Sequence, residues 1–381
     1  MKSQITIVGA SIAGLLAASK IGDSGLEVTV YEEHREIGIP EKCDGLVSGK
    51  GMADLGLVPP SKVVQNQPSG AIFFSPGGRE IRIDARKQNV LVLDRTRFDR
   101  YLAERALRSG ARIELGKRVS KITQSDSSAI TTVDGDDIDS EVVLDCSGYE
   151  SYIRSGGQTL QGALYLVQGD WFDKSTVEVY LDPVSAPGFF FWVIPIESDI
   201  AKIGVAGTGI NTFLALDKFV EKKNARPMRK MAAPVVCSGT LRDFVDGRLS
   251  RAGDAAGQAK PTTGGGIYTG GYGGMLAGTF AAKSVISKNL KALQEYEKEW
   301  KTKFGGEFRM QYRMRKAFEK MSADQLDKLF EMVAASEIPK IISEEGDFDR
   351  HSIAIAKSFG VSNSLSAFGM FISNEIKTIL S

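Results

Sequence analysis

Gly9, Ser11, Ala13 and Gly14 follow a short apolar, β-branched run, Ile5 to Val8, and open an alanine- and leucine-rich segment that ends near Asp23. A second run, Val28 to Tyr31, ends in Glu32, 23 residues after Gly9. Strand, glycine turn, helix, strand and acid is the order that binds a dinucleotide. Gly9 makes the tight turn, Gly14 lets helix and strand pack closely, and the helix N-terminus offers N–H groups and positive dipole to a pyrophosphate. Glu32 can accept hydrogen bonds from an adenosine ribose. Ser11 stands where the usual fingerprint has its second glycine; it is small, and its hydroxyl can donate to phosphate. The turn alone leaves the choice of dinucleotide open.

A second glycine-rich stretch lies far downstream. Leu249 to Gly257 contains Gly-Asp-Ala-Ala-Gly, and Pro261 to Ile267 reads Pro-Thr-Thr-Gly-Gly-Gly-Ile before a small-residue helix. Asp254, just after a strand, can bind a ribityl hydroxyl. The helix start at Gly264, Gly266 and Ile267 can set N–H groups against a phosphate or the flavin O2 region, where negative charge develops on reduction. Together the two motifs point to FAD.

Two more segments carry chemistry. Glu36 to Ser48 is a loop flanked by Pro40 and Gly45 and containing Cys43. A free cysteine is most often a small buried hydrophobe, yet a loop just after the ribose-binding acid is a poor place for core filler, so a site role is expected. Pro187 to Pro195 is an aromatic strand with Phe189, Phe190, Phe191 and Trp192. Its rings either line a channel for an extended apolar substrate or pack within a sheet.

The second glycine motif resembles that of the para-hydroxybenzoate hydroxylase-like flavoproteins and, more narrowly, of the geranylgeranyl reductase family. The likeness covers most of residues 1 to 290. Val92 to Leu102 resembles the helix start whose arginine reaches the FAD, with Arg95 favoured by register and Arg97 second. Leu144 to Gly148 resembles the strand end that closes the dinucleotide domain, and Val119 stands where such proteins touch adenine through the backbone. The Cys43 loop is similar to the one that lies along the flavin, which brings in Asp44 and Leu46. Phe190, Trp192 and Pro195 match the family's Y-x-W-x-F-P substrate motif, with Phe190 for tyrosine and Ile194 for phenylalanine. Those replacements also approach the W-x-W-x-I-P signature of flavin-dependent halogenases.

The fold this implies is α/β: a Rossmann-type FAD-binding domain of residues 1–68, 94–155 and 240–288, a β-rich substrate domain of 69–93 and 156–239, and a helical region, 289–381. Arg309 to Lys320 carries five cations among apolar residues and reads as a solvated helix face or as a surface for anionic lipid headgroups. Val361, Leu365, Phe368, Ile372, Ile376 and Ile379 recur at helical spacing.

Composition bounds the rest. Forty-eight Lys and Arg against 47 Asp and Glu give a formal net charge of +1, so nothing points to nucleic acid. Three widely spaced cysteines fit a reducing compartment, and no metal-ligand cluster is visible. The N-terminus lacks a basic n-region, and no run reaches the ~18 apolar residues a membrane span needs. The expectation is a cytoplasmic protein, or one peripheral on the inner membrane face.

The resemblance implies reduction of C=C bonds in geranylgeranyl chains of archaeal-type ether lipids, with hydride from the N5 of reduced flavin and a proton from an acid. Cys43 is the first candidate for that acid or for positioning the flavin, and Tyr268 the second. Two other readings stay open: an oxygen-using hydroxylase or halogenase of the same fold, and a flavin carrier passing electrons to a quinone. No second dinucleotide fingerprint names the electron donor.

Overall fold

The computed structural model describes residues 2–351. The apolar stripe from Val361 to Ile379 lies outside the described residues.

The chain opens as expected from its β-branched and alanine-rich runs. Strand β1 (Lys2–Val8) turns into helix α1 (Ile12–Gly22), and β2 (Val28–Glu32) returns parallel to β1. Next come β3 (Leu46–Ser48), α2 (Gly49–Asp54), β4 (Val64–Asn66), β5 (Gly70–Phe74), β6 (Glu80–Asp84) and β7 (Val90–Leu93). After α3 (Arg95–Arg108) follow β8 (Arg112–Leu115), β9 (Val119–Gln124), β10 (Ala129–Val133) and β11 (Asp136–Asp145). Helix α4 (Tyr149–Arg154) leads into β12 (Thr159–Gln168), β13 (Thr176–Tyr180), β14 (Phe191–Pro195) and β15 (Ile200–Gly207). Then come α5 (Thr212–Lys222), β16 (Arg226–Ala232), β17 (Val235–Val236), β18 (Val245–Asp246) and β19 (Leu249–Arg251). Helices α6 (Ile267–Ile286), α7 (Ala292–Glu319), α8 (Ala323–Ala334) and α9 (Ile338–Glu345) complete the described chain.

The first sheet has the order β18-β19-β11-β1-β2-β8, with β10 and β9 attached to β11. Its central strands β19, β11, β1, β2 and β8 run parallel, as a doubly wound core requires. The second sheet is β16-β12-β15-β14-β13-β5-β6, antiparallel except where β13 meets β5. Residues 90–93 do not extend it: β7 pairs with β3 and β4 in a small third sheet.

Two packing rules set the interior. Helices α1 and α6 meet backbone to backbone, because a Cβ on Gly274 would stand 2.1 Å from the Ala13 carbonyl oxygen and one on Gly278 2.5 Å from that of Ala17. Spacing of four puts Gly270, Gly274 and Gly278 on one face, so the small-residue run seen in the sequence is a docking stripe. In the second sheet, alternation divides each strand between two faces. Tyr165, Val167, Phe191, Val193, Ile203 and Val205 pack under α5 with Leu216 and Val220. Their alternates, including Leu164, Trp192, Ile194, Val177 and Phe73, face the other way into a cavity.

Helix α7 corrects one expectation about the basic stretch. Arg315 is buried rather than on a solvated face, and Arg315 and Lys316 both pair with Glu319. Arg309, Arg313 and Lys320 are exposed. Among the described residues no helix is long and apolar enough to cross a membrane, and no cluster of His, Cys, Asp and Glu could hold a metal.

Gly274→Val should force α1 and α6 apart and lower stability by about 3 kcal/mol, read by urea unfolding. Gly306→Ala in α7, where a Cβ would meet nothing within 4 Å, should leave stability unchanged or raise it by up to about 1 kcal/mol.

Candidate active site

A cavity of about 780 Å³ runs from the α1 and α6 N-termini, past the Cys43 loop, to the inner face of the second sheet beneath α8 and α9. Each sequence motif contributes to one stretch of its wall.

At one end, Gly9 takes φ +96° and a Cβ there would stand 2.6 Å from the Cys146 carbonyl oxygen. Gly14 allows even closer approach: its Cβ would be 2.0 Å from the Gly9 oxygen. Ser11 caps α1 without a side-chain capping bond, so its hydroxyl stays available on the cavity wall beside Ala13. Glu32 folds back behind the turn, accepting from the Ala10 N–H at 2.8 Å and the His34 N–H at 2.9 Å. Oε1 also meets His34 Nδ1 at 2.6 Å, so the lone pair left over is on Oε2. Glu32, Gly9 and Gly14 shape the turn without lining the cavity.

The second motif faces the first. Asp254 sits in a short 3-10 turn, Gly253–Ala256, whose other residues are buried while Asp254 itself is exposed on the cavity wall. Burial raises its carboxyl above the ordinary value, against the opposing pull of Arg95. Gly266, the N-cap of α6, leaves the room: a Cβ there would be 3.2 Å from Asp254 Oδ1. A buried chain holds this turn, in which Gln258 Oε1 accepts from the Gly253 N–H, Gln258 Nε2 donates to the Tyr296 hydroxyl, and that hydroxyl donates to the Arg251 carbonyl.

Arg95 and Arg97 part company at the start of α3. Asp94 caps the helix by accepting from the Arg97 N–H at 2.9 Å, and this register turns Arg97 to solvent, 63% exposed. Arg95 points inward, 11% exposed, and lies beside Cys43 with both terminal bonds on Asp99 at 3.1 Å.

The middle of the cavity is crossed by the Cys43 loop, whose residues Cys43 to Leu46 line it. Trp192 on β14 donates its indole N–H to Asp44 Oδ2 at 2.9 Å. The indole lies over Gly204 of β15, where a Cβ would collide with the ring at 2.1 Å. Lys202, two residues earlier on the same face and only 2% exposed, donates to Glu41 Oε1 at 2.8 Å and to the Asp44 carbonyl at 3.2 Å. Arg229 takes the other Glu41 oxygen at 2.8 Å. Burial alone would raise the Glu41 carboxyl, but Lys202 and Arg229 outweigh it and hold it below its ordinary value. Phe189 and Phe190 stack with centroids 4.1 Å apart, and Phe190 meets Trp192 edge-on at 5.9 Å.

Two anticipated residues, Tyr268 and Pro195, lie off the cavity wall, and the Val119 side chain is packed away beneath its sheet. Tyr268 donates its hydroxyl to Asp54 Oδ2 at 2.5 Å and packs on Gly51, outside the cavity wall. Val119 packs with Val8, Ala129 and Val143 beneath β9 and β10. Pro195 ends β14 beyond the cavity, its carbonyl accepting from Asn66. Sequence reasoning passed over Lys202, Glu41, Lys260 and His351. Lys202 had a signal, a single lysine inside the apolar strand Ile200–Gly207; Lys260 directly precedes Pro261. Lys260 is buried against Asp349 at 2.9 Å, and His351 meets the Thr262 hydroxyl at 2.9 Å.

A family model described as lycopene cyclase protein matches residues 4–201. The digeranylgeranylglycerophospholipid reductase of Methanocaldococcus jannaschii is 30% identical over 87% of this chain and 90% of its own length. The chain belongs to the geranylgeranyl reductase family of FAD-dependent oxidoreductases. Digeranylgeranylglycerophospholipid reductase 1 of Methanococcoides burtonii is 31% identical over 86% of this chain and 87% of its own length. Among solved structures, a geranylgeranyl bacteriochlorophyll reductase-like protein from Thermoplasma acidophilum superposes with a TM-score of 0.83 at 22% identity, covering 97% of this chain and 99% of that one. A flavin-dependent brominase follows with a TM-score of 0.70 at 17% identity, covering 94% of this chain and 98% of its own. Likeness at such identity concerns the fold. The family's cofactor suits this cradle, which combines an uncapped helix start at Ser11 with the Asp254 carboxylate, to which no described residue donates a hydrogen bond.

Glu41→Gln leaves Lys202 charged in an apolar wall and should cost about 3 kcal/mol, whereas adding Lys202→Met should recover most of that loss. Because the Glu41 carboxyl is lowered on folding, its contribution is present above its ordinary value of 4.5 and fades as pH falls through its folded value. Chemical denaturation of the single and double variants between pH 4 and 7 (roughly the carboxylate range and above) reads both effects.

Proposed function

We propose that this protein reduces C=C bonds in the geranylgeranyl chains of archaeal-type ether lipids, with FAD held by Ser11, Ala13, Glu32, Arg95, Asp254 and the Gly264–Ile267 helix start. One observation carries the reading: the cavity that begins at the FAD cradle continues along the apolar face of the second sheet. A carrier that only passes electrons has no need of such a chamber. The relatives named for this reaction at 30 and 31% identity support it.

Bound in its reduced form, FAD supplies a hydride. The rest falls to the protein. An isolated alkene develops no oxyanion for hydrogen-bond donors to stabilise, so rate must come from orientation, exclusion of water and a placed acid. Trp192, Ile194, Val177 and Phe73 form a flat apolar floor against which an isoprenoid chain can lie. Phe189 and Phe190 line the same cavity beside Trp192. Arg95 and the α6 N-terminus supply positive charge and dipole where the reduced cofactor gains negative charge. The exposed Arg309 and Arg313 on α7, with Lys320 at its C-cap, support contact with an anionic membrane surface from which the lipid enters.

The purified yellow protein, reduced anaerobically with dithionite and mixed with unsaturated archaeal lipid, should yield lipid heavier by hydrogen pairs on mass spectrometry. Unchanged lipid, or turnover only when oxygen is admitted, would contradict the proposal.

A further inference from the structure

We propose that the loop between β13 and β14, with the last turns of α7, is the portal through which the prenyl lipid passes from an anionic bilayer into the chamber. This rests on the reductase reading above and fixes where on the surface the substrate enters. Leu181, Pro183 and Gly188 of this loop line the cavity, yet Val184, next to Pro183, is 81% exposed. A built turn holds that valine out. The Asp182 carboxylate accepts from the Val184 and Ser185 N–H groups at 2.9 and 3.1 Å, and the Asp182 carbonyl accepts from the Ala186 N–H at 2.8 Å.

One exposed apolar side chain is ordinary; what surrounds this one is not. A Cβ on Gly188 would stand 3.1 Å from the Glu319 Cγ, and Leu181 packs with Phe318, Met321 and Leu326. The turn is therefore seated on the C-terminal end of α7. There the helix separates chamber from solvent. Met314 and Phe318 line the cavity, while Arg309, Arg313, Lys316 and Lys320 recur at spacings of four, three and four, which places them on one other face. Arg309, Arg313 and Lys320 are exposed, and Lys316 is partly so.

Nearby acids are largely engaged. Asp182 caps its own turn, Glu319 holds Arg315 and Lys316, and Asp327 of α8 accepts from Ser75 and the Gly77 N–H. Asp324, exposed in the first turn of α8, is followed one helical turn later by the exposed Lys328. A projecting valine flanked by a row of cations matches an anionic bilayer: the valine enters the acyl boundary while the cations meet phosphates. A protein partner would call for a wider apolar centre. From that position a prenyl chain slides along Pro183 and Phe318 into the chamber without crossing water.

The test uses the FAD-loaded full chain. It should sediment with phosphatidylglycerol vesicles, remain in solution with phosphatidylcholine vesicles, and be released as salt rises. Val184→Asp should bind phosphatidylglycerol about 10-fold more weakly, with an unchanged flavin spectrum. Arg313→Glu with Lys320→Glu should weaken binding by at least about 10-fold. Met228→Asp, which alters an exposed apolar residue on β16, should bind as the wild type does. The emission of Val184→Trp should move to the blue when phosphatidylglycerol vesicles are added. In turnover, Val184→Asp should match the wild type on geranylgeranyl lipid dispersed in detergent and be about 10-fold slower on the same lipid embedded in vesicles. Vesicle binding that ignores Val184→Asp, or that Met228→Asp weakens equally, would overturn the portal. So would a change in the protein's sedimentation mass on Val184→Asp without vesicles, which would make the loop a contact between copies. A wild type that leaves detergent-dispersed lipid unreduced removes the reductase reading and the proposal with it.

Discussion

The ion pair between Lys202 and Glu41 is the interaction on which the rest of this site depends. Lys202 stands on a strand whose neighbours on the cavity side, Leu166 and Ile194, are apolar, and it is almost fully buried. Removing such an ammonium from water is costly unless a carboxylate and further acceptors meet it. Glu41 and the Asp44 carbonyl do so, and both belong to the Cys43 loop. One charge thus ties the loop that follows β2 to the face of the second sheet. The Arg95 N–H donates to the same Glu41 oxygen at 3.3 Å, adding the start of α3 to the joint.

Around that joint the molecule uses opposite packing on its two sides. Where α1 meets α6, Gly274 and Gly278 bring the two backbones into contact; this gives a rigid floor for the two glycine turns. Under α8 and α9 the reverse holds. Alternate residues of β12, β14 and β15 are spent on α5, and the other face of the second sheet turns to the cavity. Such a cavity survives because the strands are closed from behind by the Phe191, Val193 and Leu216 cluster. Trp192 bridges the regimes: its ring needs the missing side chain of Gly204, and its N–H reaches Asp44.

Legibility in the sequence followed the range of the interactions involved. The Gly9 to Gly14 turn, Asp254 and the α6 start depend on residues close in the chain, so spacing alone located them. Arg95 and Arg97 could be ranked by register, but the Asp94 cap had to be seen for the helix to aim one inward and the other out. Lys202 with Glu41 is a pairing across 161 residues, and no local pattern announces it. Tyr268 misled because adjacency to a glycine motif says nothing about which side of a helix a residue occupies; its hydroxyl meets Asp54. Arg315 misled for a similar reason, since a run of cations on a long helix includes one on the buried stripe. Residues 90–93 read as one more β-rich piece, and only pairing showed them to belong with β3 and β4.

The central claim is that one continuous chamber joins the FAD cradle to an apolar surface shaped for an isoprenoid chain. A crystal structure of the FAD-loaded protein with a saturated archaeal ether lipid tests it most directly. The account predicts the flavin between the Cys43 loop and the α6 N-terminus, and one phytanyl chain along the Trp192, Ile194 and Val177 face. A lipid bound elsewhere, with α8 and α9 collapsed onto the second sheet, would contradict it.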